Sequence, residues 1–164
     1  MEFDKLWNYN KPDETEKKFR EILPGIKASG DKSAYLQLLT QIARTLGLQK
    51  KFDEAHKLLD ETEAQLTDED HVSQIRYLLE RGRAFNSSGK TEKAEELFLK
   101  AYELGLRTAE ENLTVDAAHM MAIVKSGEQS LEWNETAMKL AENSSEPAAK
   151  KWLGSLYNNT GWTY

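Results

Sequence analysis

The sequence predicts an all-α fold, and three observations carry that prediction. Strand signals are nearly absent: β-branched residues do not cluster, alternation is short, and no Asn-Gly or Asp-Gly hairpin turn occurs. Apolar residues recur three and four apart, as in Leu36, Leu39, Ile42, Ala43 and Leu46, then Phe52, Ala55, Leu58 and Leu59. Turn-forming clusters punctuate the chain at helix-length intervals: "LPG" at 23–25, "SGDK" at 29–32, "TDED" at 67–70, "NSSGK" at 86–90, "KSGE" at 125–128 and "NSSEP" at 143–147.

Taken in order, the elements have plausible starts. Asp31, Asp68 or Asp70, and Ser145 are candidate N-caps, and Pro147 suits a first helical turn. Connections of a few residues make neighbouring helices antiparallel. The helix containing "RYLLERGRAF" (76–85) is interrupted by Gly82, a position where alanine is worth about 1 kcal/mol more. A helix that accepts this cost is expected to need the missing side chain for close packing.

Composition narrows the function classes. The 164 residues carry a formal charge of −6 with 30% charged residues, and an acidic balance argues against nucleic-acid binding. No cysteine is present, which removes disulfides, thiolate metal ligands and thiol nucleophiles. The first residues hold acids where a secretory leader needs positive charge, and the apolar run "HMMAIV" is far short of the ~20 residues of a membrane span. The N-x-S/T matches at Asn86, Asn112, Asn134, Asn143 and Asn158 are read as chance in an Asn-rich chain. The expectation is a cytoplasmic protein with no membrane and no nucleic-acid partner.

An internal periodicity organises the chain. Small residues fall at Ala43, Gly82, Ala118 and Gly161, each followed three places on by a large one: Leu46, Phe85, Met121 and Tyr164. The alternate helices share their own register: Ala55/Leu59/Thr62, Ala94/Phe98/Ala101 and Ser130/Asn134/Ala137, with Thr15/Phe19/Ile22 as a fainter copy upstream. In this frame Gly82 and Ala94 allow close contact while Phe85 and Phe98 fill the space beside it, and Gly82→Leu would overpack it.

These residues resemble the tetratricopeptide repeat (TPR) family, whose signature is a helical hairpin with W-x2-L-G-x2-Y and then A-x3-F. The best copy is 78–101, through Leu78, Gly82, Phe85, Gly89, Ala94, Phe98 and Ala101; "YNNTGWTY" resembles the first half of another through Tyr157, Gly161 and Tyr164. The repeat steps exceed the family's usual 34 residues, no proline closes the units, and Asn134 stands where an aromatic belongs, with Trp133 next to it. The resemblance implies a right-handed superhelical solenoid of antiparallel hairpins: a partial unit at 1–30, units at about 31–68, 69–108 and 109–145, and a terminal half-unit at 146–164.

Chemistry has little to stand on. His56, His71 and His119 lie in separate segments without metal-ligand spacing, and "FDEAH" lacks the first histidine of the zinc motif. "SSGKTEK" lacks the earlier glycine of a phosphate-binding loop, and "DEDH" at 68–71 reads as a loop and an acidic helix start. Many carboxylates sit four residues from a base, as in Glu16–Arg20 and Glu96–Lys100, a helix-surface pattern. A non-catalytic protein without cofactor or metal is expected.

The resemblance also implies a concave groove lined by the first helix of each unit. In this register it takes Gln37, Thr40, Gln41 and Arg44; then Arg76, Leu79, Glu80, Arg83 and Asn86; then Asn112, Asp116 and His119; and last Asn158, Asn159 and Trp162. Arg44, Arg76 and Arg83 suit carboxylates, so the expected ligand is an extended or helical peptide, with acidic side chains, bound by an adaptor or regulator. The competing reading is that these arginines pair with Glu80, Asp116 and neighbouring acids. Some family members grip a chaperone's C-terminal carboxylate through lysine and asparagine, but Thr40, Arg44 and Glu80 occupy those places, which argues against that subclass. Because "GWTY" ends the sequence without a hairpin partner, the alternative function is assembly into a homo-oligomer through the terminal helices; an enzyme on a helical-repeat scaffold ranks last.

Overall fold

The computed structural model describes residues 1–156; Gly161, Asn158, Trp162 and the other residues from 157 on lie outside them. Every regular element among the described residues is helical. A 3₁₀ turn, Glu2–Leu6, precedes α1 (Pro12–Ala28), α2 (Lys32–Leu48), α3 (Phe52–Glu63), α4 (His71–Ser87), α5 (Thr91–Thr108), α6 (Glu111–Val124), α7 (Gly127–Asn143) and α8 (Pro147–Lys150), with a further helical stretch at 152–156. No described helix is long and apolar enough to cross a membrane. Each of the expected stretches 31–68, 69–108 and 109–145 contains two helices, but the chain divides into compact units after Lys90, inside the second of them.

The helix boundaries follow from local chemistry. Asp31 caps α2 by accepting from the Ala34 N–H at 3.0 Å. Asp70 sits at the N-cap of α4, yet its carboxylate turns back to accept from the Thr67 N–H and hydroxyl at 2.8 and 3.0 Å and from Lys32 at 3.0 Å. The Thr67 backbone bond, ahead of the Lys32 contact, holds that carboxyl below its ordinary 3.8. The "LPG" cluster does not end a helix: α1 runs through Pro24 to Ala28. At Pro24 the helix forgoes one ladder bond, since proline has no N–H to donate to the carbonyl four residues back. Glu146, not Ser145, is the N-cap residue of α8, and its N–H is taken by Ser144 Oγ at 3.0 Å.

Three helices close in the same way. The amides of Lys51, Lys90 and Glu110 reach back to the carbonyls of Leu46, Phe85 and Gly105 at 2.9, 2.8 and 3.1 Å, with Lys50, Gly89 and Ala109 at positive φ before them. This is the Schellman closure, which favours glycine at the left-handed position. Only the middle one has it. Lys50→Gly is therefore expected to stabilise the protein: relief of the left-handed backbone is worth about 1 kcal/mol, and glycine's added freedom when unfolded returns part of it, leaving roughly 0.5 kcal/mol. A denaturant titration with unchanged slope and a higher midpoint would register it.

In the unit Met1–Lys90, α2 is central. It packs against α1, α3 and α4, and eleven of its 17 residues are buried. Phe3, Phe19, Leu38, Ile42, Leu46 and Ala55 form one core cluster; Ala43, Leu59 and Tyr77 form another. α2 and α4 run parallel, because Lys32 meets Asp70 at their starts and Arg44 meets Glu80 further along. In the unit from Thr91, α6 has the central place between α5 and α7, and α8 packs on α6 and α7. Its core joins Val115, Ala118, Ala137, Ala141, Ala149 and Leu156.

The small-residue periodicity marks buried positions. Ala43, Gly82 and Ala118 are all buried, as are Ala55, Leu59, Thr62, Ala94, Phe98, Ala101, Asn134 and Ala137 of the alternate helices. Asn134 thus holds the inward position where an aromatic was expected. Trp133 beside it is partly buried and meets Tyr102 edge-on at 5.0 Å.

Candidate peptide-binding face

The site expected from sequence divides between the two units, and the fuller part lies on α2 and α4. On α2 the residues Gln37, Gln41 and Arg44, and on α4 Arg76, Glu80 and Arg83, follow the same i, i+4, i+7 spacing, so each helix presents one stripe. Because the helices are parallel neighbours, the stripes meet. Arg44 Nε lies 3.8 Å from Glu80 Oε2, and Arg83 Nη1 donates to Glu80 Oε1. The Glu80 carboxylate is almost fully buried, an arrangement tolerated because guanidinium groups flank it. Part of the arginine set is therefore paired internally, as the competing reading anticipated.

Several expected lining residues are less open than the spacing implied. Gln37, Thr40, Gln41 and Leu79 are buried, as is Asp116 on α6. The Thr40 hydroxyl donates to the Gln37 carbonyl at 2.6 Å, and Gln37 donates to Ser33 at 3.0 Å. Thr40 is one residue off the stripe and faces inward. Asn86 continues the α4 stripe and is half-buried.

Arg76 takes its carboxylate from elsewhere. Its Nη1 and Nη2 donate to Asp4 Oδ1 and Oδ2 at 3.2 and 2.8 Å, a two-pronged bond to the 3₁₀ turn 72 residues upstream. The same N-terminal segment supplies the Trp7 indole N–H to Gln41 Oε1 at 3.1 Å. Trp7 and Tyr9 stack at 4.5 Å, and the Arg44 guanidinium lies 5.5 and 4.9 Å from their ring centres. Phe3 anchors the segment in the core against Phe19. Sequence spacing does not point to Asp4, Trp7 and Tyr9, because they lie outside the long helices whose periodicity defines the groove. A signal was present: three aromatics within residues 3–9 of a chain only 9% aromatic.

In the other unit, Asn112, Asp116 and His119 form the equivalent stripe on α6. Asn112 Oδ1 accepts from the Trp152 indole at 3.0 Å, and the His119 ring lies 5.1 Å from that of Trp152. Each unit thus has a polar stripe whose amide is met by an indole N–H. Asn158 and Trp162, also expected in the site, fall outside the described residues.

Behind the α4 stripe lies a second network, invisible in the linear pattern. Arg81 is buried and donates to Asp60 at 2.5 Å, to His56 Nδ1 at 2.9 Å and to the His56 carbonyl at 3.2 Å. Arginine can only donate, so His56 Nδ1 accepts and the ring is neutral. Burial first, and the Arg81 charge next, push His56 below its ordinary 6.5, with Asp60 opposing. Between that lowered value and 6.5 the unfolded chain binds a proton that the folded chain refuses, so stability rises with pH across this window. Acidification from about pH 7 to about pH 5 is expected to lower the melting temperature, and His56→Gln is expected to flatten that part of the profile. An equally steep profile in the variant would remove His56 as the cause.

No family model matches the chain, and no curated protein matches it at a significant level. The molecule is thus classed by its geometry: helical throughout the described residues, with α2 and α4 parallel and presenting an arginine-rich stripe.

Proposed function

We propose that this chain is a TPR-like interaction module, non-catalytic, which holds an acidic peptide on the stripes of α2 and α4. The observation that carries the reading is the two-pronged bond from Arg76 to a carboxylate that comes from outside the two helices. Asp4 supplies that carboxylate, while Arg44 and Arg83 flank the buried Glu80. The parallel pair α2 and α4, with small buried residues at Ala43, Gly82 and Ala118, supports the solenoid reading. The stripe is a poor fit to a chaperone-tail clamp, since buried Thr40 and Glu80 stand where lysine and asparagine would be required.

The test is calorimetric titration of the full chain with a panel of short peptides of varied charge. Acidic members are expected to bind, and Arg76→Glu and Arg83→Glu are each expected to weaken them about tenfold or more, the worth of one charge-assisted bond. Circular dichroism must show both variants folded. Binding unchanged by either reversal, or no binding of any acidic peptide, would overturn the reading.

A further inference from the structure

The chain's own N-terminal segment already occupies the face assigned above, and its contacts describe a ligand. Residues 3–9 bring one aromatic into the core, one carboxylate to Arg76, one indole to Gln41 and one phenol ring to Arg44. Its own regular structure is a five-residue 3₁₀ turn, and it reaches α2 and α4 through these side chains. Asn8 and Lys11 then turn the chain into α1: the Asn8 N–H donates to Thr15 Oγ1 at 3.0 Å and the Lys11 N–H to the Asn8 carbonyl at 3.0 Å.

Resting on the peptide-binding reading, we propose that the partner peptide carries the chemistry of this segment: an aromatic followed directly by an acid, with a second aromatic three residues after the acid, as in Phe3-Asp4-x-x-Trp7. The N-terminal segment is then the internal competitor that the partner displaces. The physical argument is one of matched sites. Phe3 is nearly fully buried against Phe19, whereas Asp4 and Trp7 remain part-exposed over Arg76 and Gln41. A tethered segment is favoured over a free one by its effective concentration, so an external copy binds weakly until the internal one is loosened. A peptide lacking the acid leaves Arg76 unmatched; one lacking the first aromatic leaves Phe19 open to water.

The experiment uses the full chain and a synthetic peptide of residues 1–10 with both ends blocked, so that terminal charges play no part. The internal segment is weakened in place by Phe3→Ala, Asp4→Lys and Trp7→Ala together. Titration calorimetry is expected to show the peptide binding the triple variant about tenfold or more tightly than the wild type, and the gain is expected to vanish when Arg76→Glu is added. If the triple variant loses helical signal, the peptide is expected to restore it, and failure to restore it overturns the proposal. So does a folded triple variant that ignores the peptide, or one whose binding survives Arg76→Glu. Should unrelated acidic peptides bind the wild type through Arg76 while this peptide binds neither form, the binding-face reading stands and the competitor falls. If no peptide binds any form, both fall.

Discussion

Phe19→Ala is expected to destabilise the protein by about 3–5 kcal/mol, the usual loss for a fully buried phenylalanine. For a chain of this length that corresponds to a melting temperature lower by roughly 6–20 °C. The site cannot easily collapse around the cavity. Phe19 receives Phe3 edge-on at 6.0 Å and Trp7 edge-on at 5.4 Å, and it shares its cluster with Leu38, Ile42 and Ala55. Its removal therefore also takes away the surface that anchors the N-terminal segment. Phe19→Leu, which keeps most of the volume, should recover more than half of the loss. Chemical denaturation followed by circular dichroism measures both, and a loss below about 1 kcal/mol for the alanine variant would contradict the packing described.

Gly105→Leu is expected to cost about 3 kcal/mol, at the upper end of the usual overpacking range. Helix propensity alone argues the opposite sign, since glycine inside a helix is worth about 1 kcal/mol less than alanine. Packing decides the contest. A Cβ at Gly105 would overlap the Thr114 hydroxyl and lie 3.2 and 3.3 Å from Thr114 Cβ and Cα, so α5 and α6 would have to separate. That hydroxyl is committed, donating to the Glu110 carbonyl at 2.7 Å. Gly105→Ala should destabilise less, and combining it with Thr114→Ala should return part of the loss, because only the carbon contacts then remain. Equal stability of wild type and Gly105→Ala would show that the helices yield.

The helical architecture was readable because its signals are local. Apolar spacing, turn clusters and the Asp31 cap lie within a few residues of what they control, and the small buried positions Ala43, Gly82 and Ala118 repeat along the chain. Gly105 escaped the same reading because it lies outside that periodicity. The "LPG" cluster misled because proline disfavours a helix interior without forbidding it, and α1 carries Pro24 at that cost. The site was half readable. Spacing placed Arg44, Arg76, Glu80 and Arg83 together, but it could not tell that Gln37, Thr40 and Gln41 are buried, since α2 is covered by α1, α3 and α4 and a residue's polarity does not record what its neighbours cover. The occupation of the face by Asp4 and Trp7 depends on contacts across 72 and 34 residues, which no local pattern encodes.

The placement of Trp7 has a practical consequence. It is the sole tryptophan in residues 1–90, and its indole is held between an amide and a guanidinium. A protein in which Trp133, Trp152 and Trp162 are changed to phenylalanine would emit from that one ring. Its emission maximum should move to longer wavelength whenever the ring is released into water, so the molecule carries its own optical gauge of whether the face is covered.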